Sequence, residues 1–294
     1  MTHEKLSVAG QEGFADDIAR MLGCKFIAME RRLFPDGETC PRFSEAPSGR
    51  VILASRMKLP IDPNSHFVET LLAVSSLKAA GCDVWLVMPY FIYSRQDRSF
   101  REGEPFSAQS VLDILQRSGV SRLFTVSSHA DREKPMIGFS SMPAHNIDGF
   151  SLFGDRIRQL MLPKPMVIGA DSSADFAASK VAAALGCYSD CLIKKRDLDD
   201  GSLTMTGNLN VKGRDVVIVD DIISSGATME NAIKLARESG ASSVYVAAVH
   251  LTRSDAIDRL RPLVDGLFVT NTIETPVSDV SVTARIADNI KRMM

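Results

Sequence analysis

Short apolar runs alternate with amphipathic helical patterns along almost the whole chain. Runs that are apolar at successive positions predict strands buried on both faces, as in parallel sheets covered by helices. The pattern therefore predicts an α/β fold with mostly parallel sheets flanked by helices. The predicted strands are Val51–Ala54, Val84–Met88, Leu123–Val126, Val167–Gly169, Val216–Val219, Val244–Val249 and Leu267–Thr270. The predicted helices are Glu12–Leu22, Phe67–Ala80, Ser107–Ser118, Ser173–Leu185, Met229–Ser239 and Ser254–Leu260.

The length of the chain predicts two domains, because 294 residues are long for one hydrophobic core and enough for two. The turn-rich segment MPAHNIDGFS (142–151) precedes a new helical pattern, so we place the boundary there. The expected domains are residues 1–147 and 148–294. The segments 76–90 and 235–249 share a helix end, a glycine and a buried strand. Because glycine is the usual residue after any helix, this similarity alone does not indicate a duplicated domain.

Composition excludes several classes of partner. The formal net charge of −2 gives no basis for binding nucleic acid or an anionic membrane surface. No apolar run approaches ~18 residues and the first ten residues do not resemble a signal peptide, so we expect a cytoplasmic protein. The five cysteines are scattered and odd in number, which argues against a disulfide framework. Cys187 and Cys191 lack the second Cys/His pair that a zinc site requires, so we expect them to be reduced.

The segment VVIVDDIISSGATMENAIKLA (216–236) combines a buried strand, two carboxylates, a small-residue loop and a helical pattern. The amides at the start of that helix form a binding site for phosphate, and small side chains let the backbone approach it closely. Asp220 and Asp221 suit a second task, accepting hydrogen bonds from hydroxyl groups or facing a metal-bound sugar. The alternative is a helix capped by its own serines. The candidate phosphate loop comprises Ser224, Ser225, Gly226, Ala227 and Thr228.

Two motifs in the first half narrow the choice of family. LFPDGE (33–38) is by itself a good turn, and PYFIYSRQDR (89–98) contains an ordinary charged run. In this order, and at this spacing from the phosphate loop, the three segments resemble the ribose-phosphate diphosphokinase (PRPP synthetase) family. The resemblance implies two similar domains of the type I phosphoribosyltransferase-like fold, the first contributing the ATP site and the second the ribose 5-phosphate site. It implies an ATP site formed by Phe34, Asp36, Gly37, Glu38, Arg95 and Gln96.

Three further segments extend the resemblance over almost the whole chain. FTVSSHAD (124–131) and VIGAD (167–171) place His129 and Asp171 where the family holds Mg2+. LIKKRD (192–197) matches the family's Lys-x-Arg, which implies catalytic roles for Lys194 and Arg196 and a closing loop over Asp197–Asn208. The resemblance also implies that Arg196 contacts ribose 5-phosphate together with Asp220, Asp221 and the phosphate loop.

The implied reaction transfers the diphosphoryl group of ATP to C1 of ribose 5-phosphate and gives 5-phosphoribosyl 1-diphosphate (PRPP) and AMP. The resemblance also implies a homo-oligomer, either a dimer or an assembly of dimers. One segment departs from the family, whose Asp-x-Gly-Gly or Asp-x-Gly-Ala is replaced here by DSSAD (171–175). Asp175 would repel a diphosphate unless a metal intervenes or the side chain points away. Two alternatives remain open, a phosphoribosyltransferase and a non-catalytic regulatory relative.

Overall fold

The structure is a computed structural model that describes residues 5–196, 203–206 and 210–294. The chain forms two compact units. The first comprises Met1–Ile147 with Val282–Met294, and the second comprises Asp148–Ser281. Each unit contains its own sheet and its own buried apolar core.

The first unit is built on a seven-stranded sheet. Its strands are β1 (Leu6–Gly10), β2 (Lys25–Leu33), β3 (Thr39–Phe43), β4 (Arg50–Ala54), the short β5 (Met57–Lys58) outside that sheet, β6 (Asp83–Val87), β7 (Val120–Val126) and β8 (Ala144–Ile147). Its helices include α1 (Phe14–Leu22), α2 (Pro63–Ala79) and α3 (Ser107–Ser118). The order across the sheet is β3-β2-β1-β4-β6-β7-β8. Every neighbouring pair is parallel except β2 and β3, which form an antiparallel hairpin at the edge.

The second unit is built on a six-stranded parallel sheet. Its helices are α4 (Leu152–Arg158), α5 (Asp175–Leu185), α6 (Ala227–Glu238) and α7 (Asp255–Leu260). Its strands are β9 (Pro165–Gly169), β10 (Tyr188–Cys191), β11 (Ile193–Arg196), β12 (Leu203–Thr206), β13 (Asp215–Ile223), β14 (Ser243–Leu251), β15 (Gly266–Thr270), β16 (Ile273–Glu274) and β17 (Ser278–Val280). The sheet order is β10-β9-β13-β14-β15-β17. Outside this sheet, β11 and β12 form an antiparallel pair.

Buried strands at the centre of each sheet confirm the predicted α/β fold. Residues 216–219 of β13 and 51–53 of β4 are fully buried, as expected for parallel strands covered on both faces. Glycines with positive φ follow α3 and α5, at Gly119 and Gly186, because a left-handed residue after the last turn satisfies the helix carbonyls. In the second unit, β13 carries polar residues only at its two ends, Asp215 at the start and Asp220 with Asp221 towards the carboxyl edge of the sheet.

The last helix of the chain, α8 (Thr283–Lys291), belongs to the first unit. We had expected the second domain to extend to residue 294, and the structure differs here. The buried face of α8, which includes Ile286 and Ile290, packs with α1, whose own buried face includes Phe14 and Ile18. Burial of these apolar faces explains why the chain returns to the first unit after Ser281.

Within the part of the chain that the structure describes, every helix is too short or too polar to span a lipid bilayer.

A buried polar network lies beneath α2 in the first unit. The Nε2 atom of His66 lies 3.3 Å from the hydroxyl of Ser55, which is 2.7 Å from the hydroxyl of Thr70. The hydroxyl of Thr70 also donates to the carbonyl oxygen of His66 at 2.8 Å. Burial disfavours the charged imidazole and lowers the pKa of His66 to about 4, against the opposing attraction of Glu69.

This depressed pKa predicts acid sensitivity of the first unit. Between pH 6.5 and 4 the unfolded chain protonates His66 while the folded chain does not, so the free energy of unfolding falls as the pH falls. The full loss from this residue is roughly 3 kcal/mol. Urea unfolding at several pH values, followed by the fluorescence of Trp85, measures this loss, because Trp85 is the single tryptophan and lies in the same unit.

The comparison variant is His66→Gln, which keeps a side-chain amide near Ser55 but cannot become charged. We expect its stability to depend less on pH between 6.5 and 4 than that of the parent protein. Parallel pH curves for the two proteins would contradict the assignment.

Candidate active sites in the two units

The carboxyl edge of the second unit's sheet carries a close group of carboxylates. Strand β13 extends to Ile223, beyond the predicted end at Val219, so Asp220 and Asp221 lie within the strand. Asp221 is buried, and its amide donates to the Oδ1 atom of Asp220 at 2.8 Å. Burial, the neighbouring Asp221 carboxyl and, more weakly, Asp171 raise the pKa of Asp220 well above its usual value. Such a shift at the mouth of a buried strand is typical of a functional site.

The predicted phosphate loop follows β13 directly. Residues 224–226 form the turn and α6 begins at Ala227, with Gly226 in a left-handed conformation at φ 80°. A side chain would strain this backbone, so glycine is required there. No side chain caps α6, and the amide of Ala227 lies 3.5 Å from the hydroxyl of Ser225. The first amides of a 12-residue helix thus lie beside the carboxylate group of β13, which is the arrangement expected for a phosphorylated sugar.

Asp171 begins the loop that departs from the family pattern. Its Oδ1 atom accepts hydrogen bonds from the amide of Ser173 at 2.9 Å and from the hydroxyl of Ser173 at 2.6 Å. These bonds close the short 3-10 turn Ser172–Ala174 at the end of β9. A Cβ at Gly169 would lie 3.0 Å from the carbonyl carbon of Ala174, so the turn packs tightly against the strand. Ser173 stands where the family pattern has its first glycine, and both its amide and its hydroxyl bond to Asp171.

Asp175 is the first residue of α5, where the helix dipole favours a negative charge. Its carboxylate accepts a hydrogen bond from the thiol of Cys191 at the end of β10. Burial and then the charge of Asp175 raise the pKa of that thiol, with smaller effects from Asp190 and Asp171. Asp175 therefore has contacts within its own unit, at the start of α5 and at the end of β10.

The predicted catalytic residues Lys194 and Arg196 lie on β11, which pairs with β12 so that Lys194 opposes Met205 and Arg196 opposes Leu203. Of the predicted closing loop Asp197–Asn208, the structure describes only β12, and the rest lies outside the described residues. The catalytic roles of Lys194 and Arg196 stay predictions.

In the first unit, the predicted ATP residues Phe34, Asp36, Gly37 and Glu38 form the turn of the β2–β3 hairpin. The amide of Phe34 donates to the carbonyl of Glu38 at 2.8 Å, and the amide of Glu38 donates to the Oδ1 atom of Asp36 at 3.1 Å. Gly37 has φ 94°. The guanidinium of Arg32 lies over the Phe34 ring, 4.7 Å from its centroid. The hairpin is thus a defined turn that presents an aromatic ring and two carboxylates.

Sequence analysis missed the residues that hold this hairpin in place. Arg31 of β2 forms an ion pair with Glu69 of α2, and the hydroxyl of Thr39 of β3 donates to the same Glu69 oxygen at 3.1 Å. Glu69 is 3% exposed, on the helix face that also buries His66 and Ala73. The sequence did contain a signal for this contact: Glu69 lies among the buried positions of a helix, and a buried carboxylate needs a charged or hydrogen-bonding partner.

Arg95 and Gln96 follow β6 in a tight turn. Tyr93 has φ 60°, unusual for a bulky residue, and its hydroxyl bonds the side chain of Asn64 in the first turn of α2. The amide of Gln96 donates to the carbonyl of Tyr93 at 3.1 Å. Arg95 is exposed and Gln96 half-buried, so both side chains are accessible to a ligand.

His129, predicted as a metal ligand, lies just after β7 and is half-buried. A guanidinium nitrogen of Arg132 lies 3.3 Å from its Nε2 atom and 3.4 Å from its Nδ1 atom. Among the described residues, no group of three or more His, Cys, Asp and Glu side chains is arranged to hold a metal ion. The metal role of His129 and Asp171 stays a prediction.

Comparisons with known proteins identify the family. Residues 5–119 match the profile of the N-terminal domain of ribose phosphate pyrophosphokinase, and residues 146–282 match the phosphoribosyl transferase domain. The ribose-phosphate pyrophosphokinase of Methanothermobacter thermautotrophicus is 33% identical over 97% of this chain and 99% of its own length. That of Thermococcus kodakarensis is 36% identical over 93% of this chain and 95% of its own.

The crystal structure of phosphoribosylpyrophosphate synthetase from Mycobacterium smegmatis matches with a TM-score of 0.84. It is 28% identical, and the match covers 99% of both chains. The two sheets thus belong to a two-domain fold of the type I phosphoribosyltransferase class. Within that class, the chain belongs to the ribose-phosphate pyrophosphokinase family.

The contact between Asp175 and Cys191 can be tested through thiol reactivity. Asp175→Asn removes a negative charge beside the thiol, so the pKa of Cys191 should fall and its alkylation by iodoacetamide at pH 8 should become several-fold faster. Mass spectrometry measures the rate at Cys191 relative to the exposed Cys40. An unchanged relative rate would mean that the Asp175 carboxylate does not face the thiol.

Proposed function

We propose that this protein is a ribose-phosphate pyrophosphokinase. It transfers the β,γ-diphosphoryl group of ATP to the C1 hydroxyl of ribose 5-phosphate, and the products are PRPP and AMP. The observation that most strongly supports this proposal is the helix start at Gly226 beside the carboxylates Asp220 and Asp221. The chain also matches family members over almost its full length. The helix start suits the phosphate group of a phosphorylated sugar, and the two carboxylates suit its hydroxyl groups.

The second unit binds the sugar phosphate. The amides of residues 224–228 and the positive end of the α6 dipole bind the 5-phosphate. Asp220 and Asp221 accept hydrogen bonds from the ring hydroxyls, which also reduces the repulsion between the two carboxyls. The sugar is thereby fixed at both ends, and this orientation presents its C1 hydroxyl for attack.

The first unit binds ATP. Phe34 stacks on the purine, and Asp36 and Glu38 accept hydrogen bonds from donors on it or support the turn. Arg95 supplies a planar cation suited to phosphate or to the purine face, and Gln96 supplies an amide. The nucleotide site therefore depends on two separate segments, the β2–β3 hairpin and the turn after β6.

Lys194 and Arg196 stabilise the charge that develops during transfer. The C1 hydroxyl loses its proton to solvent and its oxygen forms a bond to the β-phosphorus. The bond from that phosphorus to the oxygen bridging to the α-phosphate breaks, and AMP leaves with the electron pair. A preorganised cation beside the transferring group stabilises such a transition state more than it stabilises the bound substrates.

The residues of the second unit fit Mg2+ as the cofactor. Mg2+ in phosphoryl-transfer enzymes is held by one or two carboxylates together with substrate phosphates and water, and Asp171 with the nearby Asp220 supplies oxygen donors of this kind. When bound, Mg2+ neutralises phosphate charge and makes phosphorus more electrophilic. The metal role of His129 remains a proposal that rests on the resemblance alone. Assembly into a homo-oligomer also remains a proposal, which rests on the resemblance alone.

The products of the reaction test the proposed function directly. With ATP, Mg2+ and ribose 5-phosphate, the purified protein should release AMP and PRPP in equal amounts, measured by anion-exchange chromatography. ADP in place of AMP would mean attack at the γ-phosphorus, as in an ordinary kinase. Absence of both products would favour a non-catalytic relative, and release of diphosphate from PRPP with an added base would favour a phosphoribosyltransferase.

In the same assay, Lys194→Ala should lower kcat by about 10²- to 10⁴-fold, the scale of removing one preorganised charge from a transition state. Lys195→Ala is the matched control, because the family's Lys-x-Arg pattern assigns no role to the middle position, and it should retain most of the turnover.

Two variants should separate the substrates. Asp220→Asn should raise the KM for ribose 5-phosphate by about 10-fold or more and leave the KM for ATP nearly unchanged. Phe34→Ala should do the reverse by a similar factor. Asp190→Asn, an exposed carboxylate at the end of β10, is the control for Asp220. If Asp220→Asn weakened ATP binding and left the affinity for the sugar unchanged, our assignment of Asp220 to the sugar would be wrong.

A further inference from the structure

The loop between Gln96 and α3 is organised by one carboxylate oxygen. The Oε2 atom of Glu104 accepts hydrogen bonds from the amide of Phe100 at 3.2 Å, from the amide of Arg101 at 3.1 Å and from the Nε2 atom of Gln96 at 3.1 Å. The carbonyl of Glu104 accepts a further bond from the hydroxyl of Ser99 at 2.8 Å. Glu104 therefore links the loop to the side chain of a predicted ATP residue.

This contact fixes which end of the Gln96 amide faces outward. A carboxylate only accepts hydrogen bonds, so the group of Gln96 that faces Glu104 must be its NH2 group. The opposite end, the Oε1 atom, has no hydrogen-bond partner among the described residues. The backbone of Gln96 is held as well, because its carbonyl accepts from the amide of Ala108 in α3 at 3.1 Å. The Oε1 acceptor of Gln96 is therefore available to a ligand, while the NH2 group keeps one further hydrogen on the side of Glu104.

An outward acceptor restricts what Gln96 can bind in a nucleotide. The phosphate oxygens are themselves acceptors, so they cannot bond to the Oε1 atom. The donors of ATP lie in its nucleoside part, namely the 6-amino group of adenine and the ribose hydroxyls. A glutamine whose amide could rotate would bind either donors or acceptors and would discriminate poorly between purines.

We propose that Glu104 is a positioning residue that holds the amide of Gln96 with its oxygen outward, so that Gln96 selects a hydrogen-bond donor on the nucleoside part of ATP. This inference rests on the proposed function, because it takes Gln96 to be part of the ATP site. Glu104 acts through Gln96 and does not itself contact the nucleotide.

The test compares nucleotide binding by the whole protein and two variants. Isothermal titration gives the Kd of ATP, inosine triphosphate, 2′-deoxy-ATP and 3′-deoxy-ATP for the parent protein and for Glu104→Ala and Glu104→Gln. Inosine triphosphate lacks the 6-amino group, and each deoxy analogue lacks one hydroxyl. The analogues therefore show which donor Gln96 binds.

Glu104→Ala should raise the Kd of ATP by about 2- to 10-fold, the effect of losing one oriented hydrogen bond. The increase should disappear for the single analogue that lacks the donor bound by Gln96. Glu104→Gln should bind ATP almost as the parent protein does, because an amide oxygen can accept the same three bonds. Glu104→Ala should also add little in a Gln96→Ala background.

Glu102→Ala is the matched control. Glu102 is exposed in the same loop and has no side-chain hydrogen bond among the described residues, so its removal should leave every Kd unchanged. An equal increase for ATP and all three analogues on Glu104→Ala would overturn the proposal, because Glu104 would then act only by shaping the loop. Unchanged ATP binding on Glu104→Ala would overturn it too.

Failure of the inference and failure of the proposed function give different results. A parent protein that forms AMP and PRPP, with Glu104→Ala indistinguishable from it in ATP binding, refutes the inference alone. A parent protein that binds ATP and forms no PRPP refutes the proposed function, while the binding comparison still decides the role of Glu104. A parent protein that binds no ATP overturns both.

Discussion

Burial of β13 on both faces determines where the chemistry of the second unit can lie. A parallel strand covered by helices tolerates polar groups only where its neighbours end. Residues 216–219 are fully buried. After Asp215 at the start of the strand, the next carboxylates are Asp220 and Asp221, which follow the end of the neighbouring β9 at Gly169. The helix that follows must begin at the same edge, so its free amides lie next to these carboxylates. One constraint on packing therefore places the start of a helix beside two carboxylates, the elements to which we assign the phosphate and the hydroxyl groups of the sugar.

This arrangement has an energetic cost that substrate binding can offset. The raised pKa of Asp220 shows that its charged form is disfavoured by burial and by Asp221 beside it. Hydroxyl donors from a sugar and a divalent cation both stabilise the charged form, so both bind more favourably where two carboxyls have been brought together. The Asp175 carboxylate lies elsewhere, at the start of α5 and beside the thiol of Cys191. Asp175 and Asp220 therefore differ in their surroundings, although both lie near the carboxyl edge of the same sheet.

The central strands and the turn that leads into α6 could be predicted from sequence because their signals are local. Val216–Val219 is a continuous apolar run, and the helix Ser107–Ser118 was predicted with its observed bounds. The hairpin strand Lys25–Leu33 was missed because it lies near the sheet edge, where its burial alternates irregularly. The position of α8 was also missed, since nothing within Thr283–Lys291 identifies α1 as its partner. Packing between segments far apart in sequence leaves little trace in either one.

The same limit explains why sequence analysis missed the supporting carboxylates of the first unit while it named Phe34 and Gln96, the candidate ATP residues that they support. Glu69 bonds Arg31 and Thr39 at the base of the hairpin that carries Phe34, and Glu104 bonds the side chain of Gln96. In each case one carboxylate oxygen accepts hydrogen bonds from a segment that we assign to the ATP site, either the β2–β3 hairpin or the turn after β6. A family resemblance identifies residues that touch the substrate, because their types are set by shared chemistry. The residues behind them are set by the local path of the backbone, and only the hydrogen bonds of the folded chain reveal them.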